Sequence, residues 1–395
     1  MAARSGAPVP APARRTTLPA FALDAVADAP SAPVDLGVAL ERALALGRGV
    51  AGTTAPNPPV GCVLVRDGRI VGEGATAPAG GPHAEVAALA AAGPRARGAT
   101  AVVTLEPCAH TGRTGPCTAA LAAAGVTAVR WLLDDPNPVA AGGGTALRAA
   151  GLDARRDADA HPVLAARAAH DLRGFLTLVA HGRPHVLLKL AQDPDGGTRP
   201  PAGGYLTVEA ARTRVHALRA DVDAVLVGGA TVRADDPRLD VRHVDAGRQP
   251  RAVVLSASGA LPADARILAR RPLVVVGPTT PADRRAALAA AGAEVVVVDG
   301  GASGPDPAAA LAALPSRGVL TVLAEPGPRL AAMLLAADLV DAAELHVAGA
   351  AAGASGDRAV TPAVDLPGSH LEQLDEMSVG PDLVRRYARP VAGVR

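Results

Sequence analysis

The chain has 395 residues, with 39 Lys plus Arg against 38 Asp plus Glu and a net charge of +1. At roughly 150 residues per domain this length accommodates two domains. The neutral balance and an aromatic content of 1% offer neither a pull on phosphate backbones nor stacking platforms for bases, so nucleic acid is not an expected partner.

Three cysteines, Cys62, Cys108 and Cys117, are too few for a disulfide framework. They point to a reducing compartment, the cytoplasm, where thiols are free to bind metal. No run of about 18 apolar residues occurs, so no membrane span is expected. The only lysine in the chain is Lys189.

Residues 1–33 form a Pro-, Ala- and Arg-rich tail that lacks the apolar content to order itself. Leu36, Ala39, Leu40, Ala43 and Leu44 share one face of a first helix. Val60–Val65 and Ile70–Glu73 flank Asp67-Gly68, the signal for a tight hairpin. A helix is expected over His83–Ala92, a strand over Thr100–Leu105, a helix over Cys117–Ala124 and a strand over Thr127–Leu133. This alternation gives a layered α/β domain over 34–181.

A basic Gly/Pro joint, His181-Gly182-Arg183-Pro184, separates it from a second α/β domain over 182–395. Strands are expected there over Val186–Leu190, Ala224–Val227, Ala252–Leu255, Leu273–Val276, Glu294–Val298, Val319–Ala324 and Glu344–Ala348. Helices are expected over Val208–Arg219, Ala282–Ala291 and Arg329–Ala337.

The chemistry concentrates in Pro82-His83-Ala84-Glu85, Glu106-Pro107-Cys108 and Cys117. One imidazole and two thiolates make three zinc ligands, leaving a tetrahedral ion one open position for water. Zinc brings the pKa of that water toward neutrality, and a neighbouring carboxylate, Glu85, can relay its proton to a leaving amine. His-x-Glu followed by Pro-Cys is the order found in zinc deaminases. A purely structural zinc is the bland alternative, and Cys62 reads as a small core residue.

Thr54-Ala-Pro-Asn-Pro-Pro-Val-Gly-Cys62, His83-Ala-Glu-Val86, Thr104-Leu-Glu-Pro-Cys-Ala-His-Thr-Gly-Arg-Thr-Gly-Pro-Cys117 and Asp135-Pro-Asn-Pro138 resemble the deaminase half of bifunctional riboflavin-biosynthesis deaminase/reductases. The resemblance implies a three-layer αβα fold of the cytidine-deaminase type, with His83, Cys108 and Cys117 on zinc and Glu85 as proton shuttle. It also implies pyrimidine and ribose contacts from Asn57, Asp135 and Asn137, and phosphate contacts from His110 and Arg113. A guanidinium suits phosphate because it binds two oxygens at once.

The second half resembles the reductase of the same family. The matching residues are Leu188-Lys189-Leu-Ala191, Leu218-Arg219-Ala220, Asp223-Ala-Val-Leu-Val-Gly228, Asp235-Asp-Pro237 and Glu325-Pro-Gly-Pro328. That family implies a dihydrofolate-reductase-like fold that binds NADPH without a Gly-x-Gly-x-x-Gly fingerprint. By this match Ala191, Tyr205, Thr231, Asp235 and Gly327 meet the cofactor, and Arg219, Leu239, Arg242 and Glu325 meet the substrate. Lys189 and Glu325 form the acid/base pair.

The chain departs from the family pattern at Asp193-Pro194, Gly203, Tyr205 and Ser256-Ala257. Asp193 would repel a cofactor phosphate, and Pro194 removes a backbone donor. The alternative is therefore an active deaminase carrying a domain that no longer reduces. A nucleoside deaminase is a further alternative, disfavoured by charge and aromatic content. The expected partner is a small phosphoribosylaminopyrimidine, with homo-oligomer formation left open.

Overall fold

The structure, a computed structural model, describes residues 33–111, 115–198, 204–349, 366 and 369–389. Arg113 and Gly203 lie outside the described residues.

Helix α1 (Leu36–Gly49) starts where the Asp35 carboxylate accepts the Val38 N–H at 2.8 Å, satisfying one of the free donors of a helix start. Strands β1 (Gly61–Arg66) and β2 (Arg69–Ala75) follow, joined by Asp67 and Gly68 at φ of 50° and 69°. These are the left-handed angles that an Asp-Gly hairpin turn requires. Then come α2 (Ala84–Ala92), β3 (Thr100–Leu105), α3 (Cys117–Ala123) and β4 (Ala128–Leu133). The half ends with α4 (Gly143–Ala149), β5 (Asp153–Arg156), α5 (Pro162–Asp171) and α6 (Arg173–His181).

The five strands run in the order β2-β1-β3-β4-β5, with β3, β4 and β5 parallel and β1 antiparallel to both of its neighbours, β2 and β3. Leu40 and Leu44 of α1 and Leu164 of α5 pack on Val63, Val102 and Leu132 on one face. Ala84 and Ala88 of α2, Leu121 of α3 and Leu147 of α4 pack on Cys62, Leu64, Val103 and Trp131 on the other. Three αβα layers result, and Cys62 is a core residue. Its alanines suit the close spacing: a Cβ on Gly74 of β2 would lie 2.3 Å from the Ala84 carbonyl oxygen, so α2 sits directly on the hairpin.

The second half comprises β6 (His185–Gln192), α7 (Glu209–Ala220), β7 (Ala224–Gly228), α8 (Gly229–Asp235), β8 (Arg251–Ser256), β9 (Leu273–Val276), α9 (Ala282–Ala290) and β10 (Glu294–Val297). Two short strands, β11 (Gly300–Gly301) and β12 (Gly304–Pro305), precede α10 (Pro307–Ala312), β13 (Thr321–Ala324), α11 (Pro328–Ala336) and β14 (Ala342–Val347). A hairpin, β15 (Glu372–Val379) and β16 (Asp382–Ala388), completes it.

Nine strands form one sheet, β10-β9-β8-β7-β13-β6-β14-β16-β15, parallel from β10 to β14 and antiparallel through the final hairpin. Leu218 of α7, Val232 of α8 and Leu288 of α9 cover one face, and Leu311 of α10 with Leu334 of α11 cover the other. The fold is mixed α/β in both halves. The final hairpin was not anticipated from sequence because its strands are charged: Arg385 pairs with Glu376 at 2.7 Å and Arg386 with Asp375 across the ladder. Among the described residues no helix is long and apolar enough to cross a membrane.

Candidate active sites

His83 immediately precedes α2 in extended conformation (φ −73°, ψ 163°), and Glu85 lies in the first turn. That step in the backbone lets residues two apart face one cavity. Cys117 opens α3, and its N–H donates to Cys108 Sγ at 3.4 Å. His83 Nδ1 lies 3.7 Å from Cys108 Sγ and 3.4 Å from Cys117 Sγ. All three donor atoms lie within 4.8 Å of one another.

Ordinary zinc bond lengths, with sulfur at about 2.3 Å and nitrogen near 2.1 Å, separate the two donors by about 3.6 Å at the tetrahedral angle. The donor set therefore fits zinc, both in chemistry and in spacing.

The same residues perturb one another's protons. Burial pushes the Glu85 carboxyl up to about 7. The Cys117 thiol, then His83, hold Cys108 down to about 4 against the opposing effect of burial, while Cys117 is pushed far up.

His83, Glu85 and Cys108 line a cavity of about 400 Å³ together with Asn57, His110, Asp135 and Asn137. Asp135 Oδ1 accepts the Asn137 N–H at 2.9 Å, and burial raises its carboxyl. Three residues contribute in ways that the sequence did not anticipate. Glu106 accepts the N–H groups of Asp135 at 3.2 Å and Gly144 at 2.8 Å, tying the cysteine turn to the Asp135 loop. A Cβ on Gly143 would stand 1.8 Å from the Pro107 carbonyl oxygen, so that close approach needs glycine. Phe175 of α6 closes one wall; a lone aromatic in an apolar helix carries no sequence signal for such a role.

A second cleft, of about 280 Å³, gathers Lys189, Ala191, Tyr205, Arg219, Arg242 and Glu325, with Arg212, His216 and His243 added by the fold. Arg219 holds Glu325 through Nε at 2.6 Å and Nη2 at 2.8 Å. Burial works to raise Glu325, but Arg219 and then Lys189 take it below the usual carboxylate range. Burial lowers Lys189, with Glu325 opposing. Arg212 lies over the Tyr205 ring, 4.2 Å from its centroid.

Thr231 and Gly327 line a neighbouring cleft at the ends of β7, β8 and β13, together with Ala257, Ser258, Arg233 and Arg329. Glycines at two helix starts, Gly228 and Gly327, and these two arginines suit a phosphorylated nucleotide. The residues fit NADPH across the two clefts. Asp235 and Leu239 line neither cleft: Asp235 is exposed, and Leu239 is buried at φ 54°. Asp193 lines neither as well; its carboxylate accepts the N–H groups of Asp195 and Gly197 at 3.0 and 2.7 Å, closing its own turn.

A family model for the cytidine and deoxycytidylate deaminase zinc-binding region matches residues 38–133, and one for the RibD C-terminal domain matches residues 184–384. The riboflavin biosynthesis protein RibD of Corynebacterium ammoniagenes is 44% identical over 282 residues, covering 70% of this chain and 82% of that protein. The chain belongs to the RibD family.

A crystal form of Acinetobacter baumannii RibD superposes with a TM-score of 0.72 at 33% identity, covering 90% of this chain and 100% of that one. A Thermotoga maritima diaminohydroxyphosphoribosylaminopyrimidine deaminase/5-amino-6-(5-phosphoribosylamino)uracil reductase gives 0.68 at 27% identity, covering 90% and 99%. As a RibD-family protein the chain is a riboflavin-biosynthesis enzyme with a deaminase and a reductase half, whose cofactors are zinc and NADPH.

Proposed function

We propose that this chain deaminates diaminohydroxyphosphoribosylaminopyrimidine in residues 34–181 and reduces the ribosyl side chain of the product to ribityl in residues 182–395, acting in the cytoplasm on small molecules. The observation that carries the reading is the cavity in which His83, Cys108 and Glu85 face Asn57, Asp135 and His110. A metal-binding cluster with no substrate polar groups opposite it would be a structural staple.

Zinc, when bound, supplies an activated water, and NADPH supplies the reducing equivalent. His83, Cys108 and Cys117 hold the metal. Glu85, poised near neutrality, takes a proton from the water and returns one to the departing ammonia as the C–N bond breaks. Asn57, Asp135 and Asn137 orient the pyrimidine and ribose. His110 faces the phosphate; its Nδ1 is buried with no hydrogen-bond partner among the described residues. Arg113, the other phosphate contact, falls outside them.

In the second half Ala191, Tyr205, Thr231 and Gly327 serve the nucleotide, while Arg219, Arg242 and Glu325 serve the phosphorylated sugar. Lys189 and Glu325 exchange protons with the sugar as its ring opens, exposing the carbon that accepts the reducing equivalent. Asp193 lines neither cleft, and its Oδ1 accepts two N–H groups of its own turn.

The test is a pair of assays on the whole chain, ammonia release from the first substrate and NADPH oxidation with the deaminated intermediate. Both activities are expected in the parent; Glu85→Gln removes the first and Lys189→Ala the second. Ammonia release without NADPH oxidation in the parent overturns the reductase assignment. Release from cytidine in preference to the phosphoribosylated pyrimidine overturns the substrate.

A further inference from the structure

Helix α7 carries Arg212, His216 and Arg219 at spacings of four and three residues, which places all three on one helix face. That face lines the reductase cleft. The two arginines assigned there from sequence are already engaged within the protein. Arg219 is held by both oxygens of Glu325 and donates through Nη1 to the Asp240 carbonyl at 3.0 Å. The Arg242 guanidinium is paired with the Asp240 carboxylate.

His216 differs from both. It is 5% exposed, and its Nδ1 accepts the backbone N–H of Arg242 at 3.2 Å. An imidazole whose Nδ1 accepts carries its proton on Nε2. Among the described residues no hydrogen bond uses that Nε2–H. The ring is further fixed by His243, whose centroid lies 4.5 Å away at a tilt of 58°. Burial, then Arg219, His243 and Arg242, lower its pKa to about 4, so it stays neutral at physiological pH.

Resting on the reductase reading above, we propose that His216 is a substrate contact of this cleft, donating its Nε2–H to a phosphate oxygen of the phosphorylated sugar. A neutral donor of fixed tautomer adds a directional hydrogen bond without adding another positive charge to a cleft that holds Lys189, Arg212, Arg219 and Arg242. Its two nitrogens have separable duties: Nδ1 anchors the Arg242 backbone and Nε2 meets the ligand.

Two substitutions separate those duties in the full chain. In His216→Gln the amide reaches the Nε2 position and keeps a donor there. In His216→Asn the amide reaches only the Nδ1 position and keeps the anchor. Calorimetry with ribose 5-phosphate is expected to show the parent and His216→Gln binding within about threefold of each other. His216→Asn should bind about tenfold more weakly, the effect of one lost hydrogen bond.

The KM for the deaminated pyrimidine should rise by the same factor in His216→Asn, with the KM for NADPH and the rate of ammonia release unchanged. The opposite order, with Asn tolerated and Gln impaired, shows an anchoring role only and overturns the proposal. Equal behaviour of the two variants, or a parent that fails to bind ribose 5-phosphate, overturns it too. A parent that binds the sugar phosphate with the expected Gln/Asn order yet oxidises no NADPH overturns the reductase reading and leaves the contact standing.

Discussion

Arg219, in the last turn of α7, and Glu325, just beyond β13, form a two-pronged ion pair at 2.6 and 2.8 Å, with side chains only 12% and 16% exposed. They are 106 residues apart in sequence, and the pair joins the helix face to the sheet end at the floor of the reductase cleft. Removing one member of a buried pair strands the other charge, whereas removing both is close to neutral. Arg219→Met is therefore expected to cost about 3 kcal/mol in urea denaturation. The double variant Arg219→Met, Glu325→Gln should recover most of that loss without recovering NADPH oxidation.

Glu85 is expected to matter to proton transfer and not to metal retention. Glu85→Gln should keep zinc at parental stoichiometry by metal analysis while ammonia release falls by about 10³-fold, within the range of general acid–base catalysis. Loss of zinc from this variant would move Glu85 from proton relay to ligand.

In the metal-free protein the same carboxyl gives stability a sign with pH. Its pKa rises from 4.5 to about 7 on folding, so between those values the folded state holds a proton that the unfolded state has released. The contribution is fully present below 4.5 and declines as pH rises to about 7, by at most about 3 kcal/mol. Chelator-treated parent should lose stability over that window, and Glu85→Gln should not.

Chelation should also separate the two activities. The metal-ligating residues and the Lys189 cleft share no lining residue. Ammonia release is expected to vanish on zinc removal, while NADPH oxidation with supplied deaminated intermediate persists. Parallel loss of both would show that the reductase half depends on the metal.

Much of the deaminase site was legible in the sequence because its chemistry tolerates few residue types. Only thiolates and an imidazole make that zinc set, so His83, Cys108 and Cys117 stand out of an alanine-rich chain, as does the single lysine. The strands and helices were legible where hydrophobic period was strong, as in α1 and β3. They were not where charge replaced it, as in β15 and β16, whose ladder is closed by arginine–carboxylate pairs.

What the sequence alone determined here is the inventory of reactive groups: a zinc set, a proton carrier, a lone amine and the arginines. Only the tertiary structure decided which of those groups already have a partner within the protein. It engages Arg219 with Glu325, Arg242 with Asp240 and Asp193 with its own turn, and among the described residues no hydrogen bond uses the Nε2–H of His216. The reason is physical: residue type fixes what a group can donate or accept. Whether that capacity is already satisfied depends on neighbours brought together from distant positions in the chain.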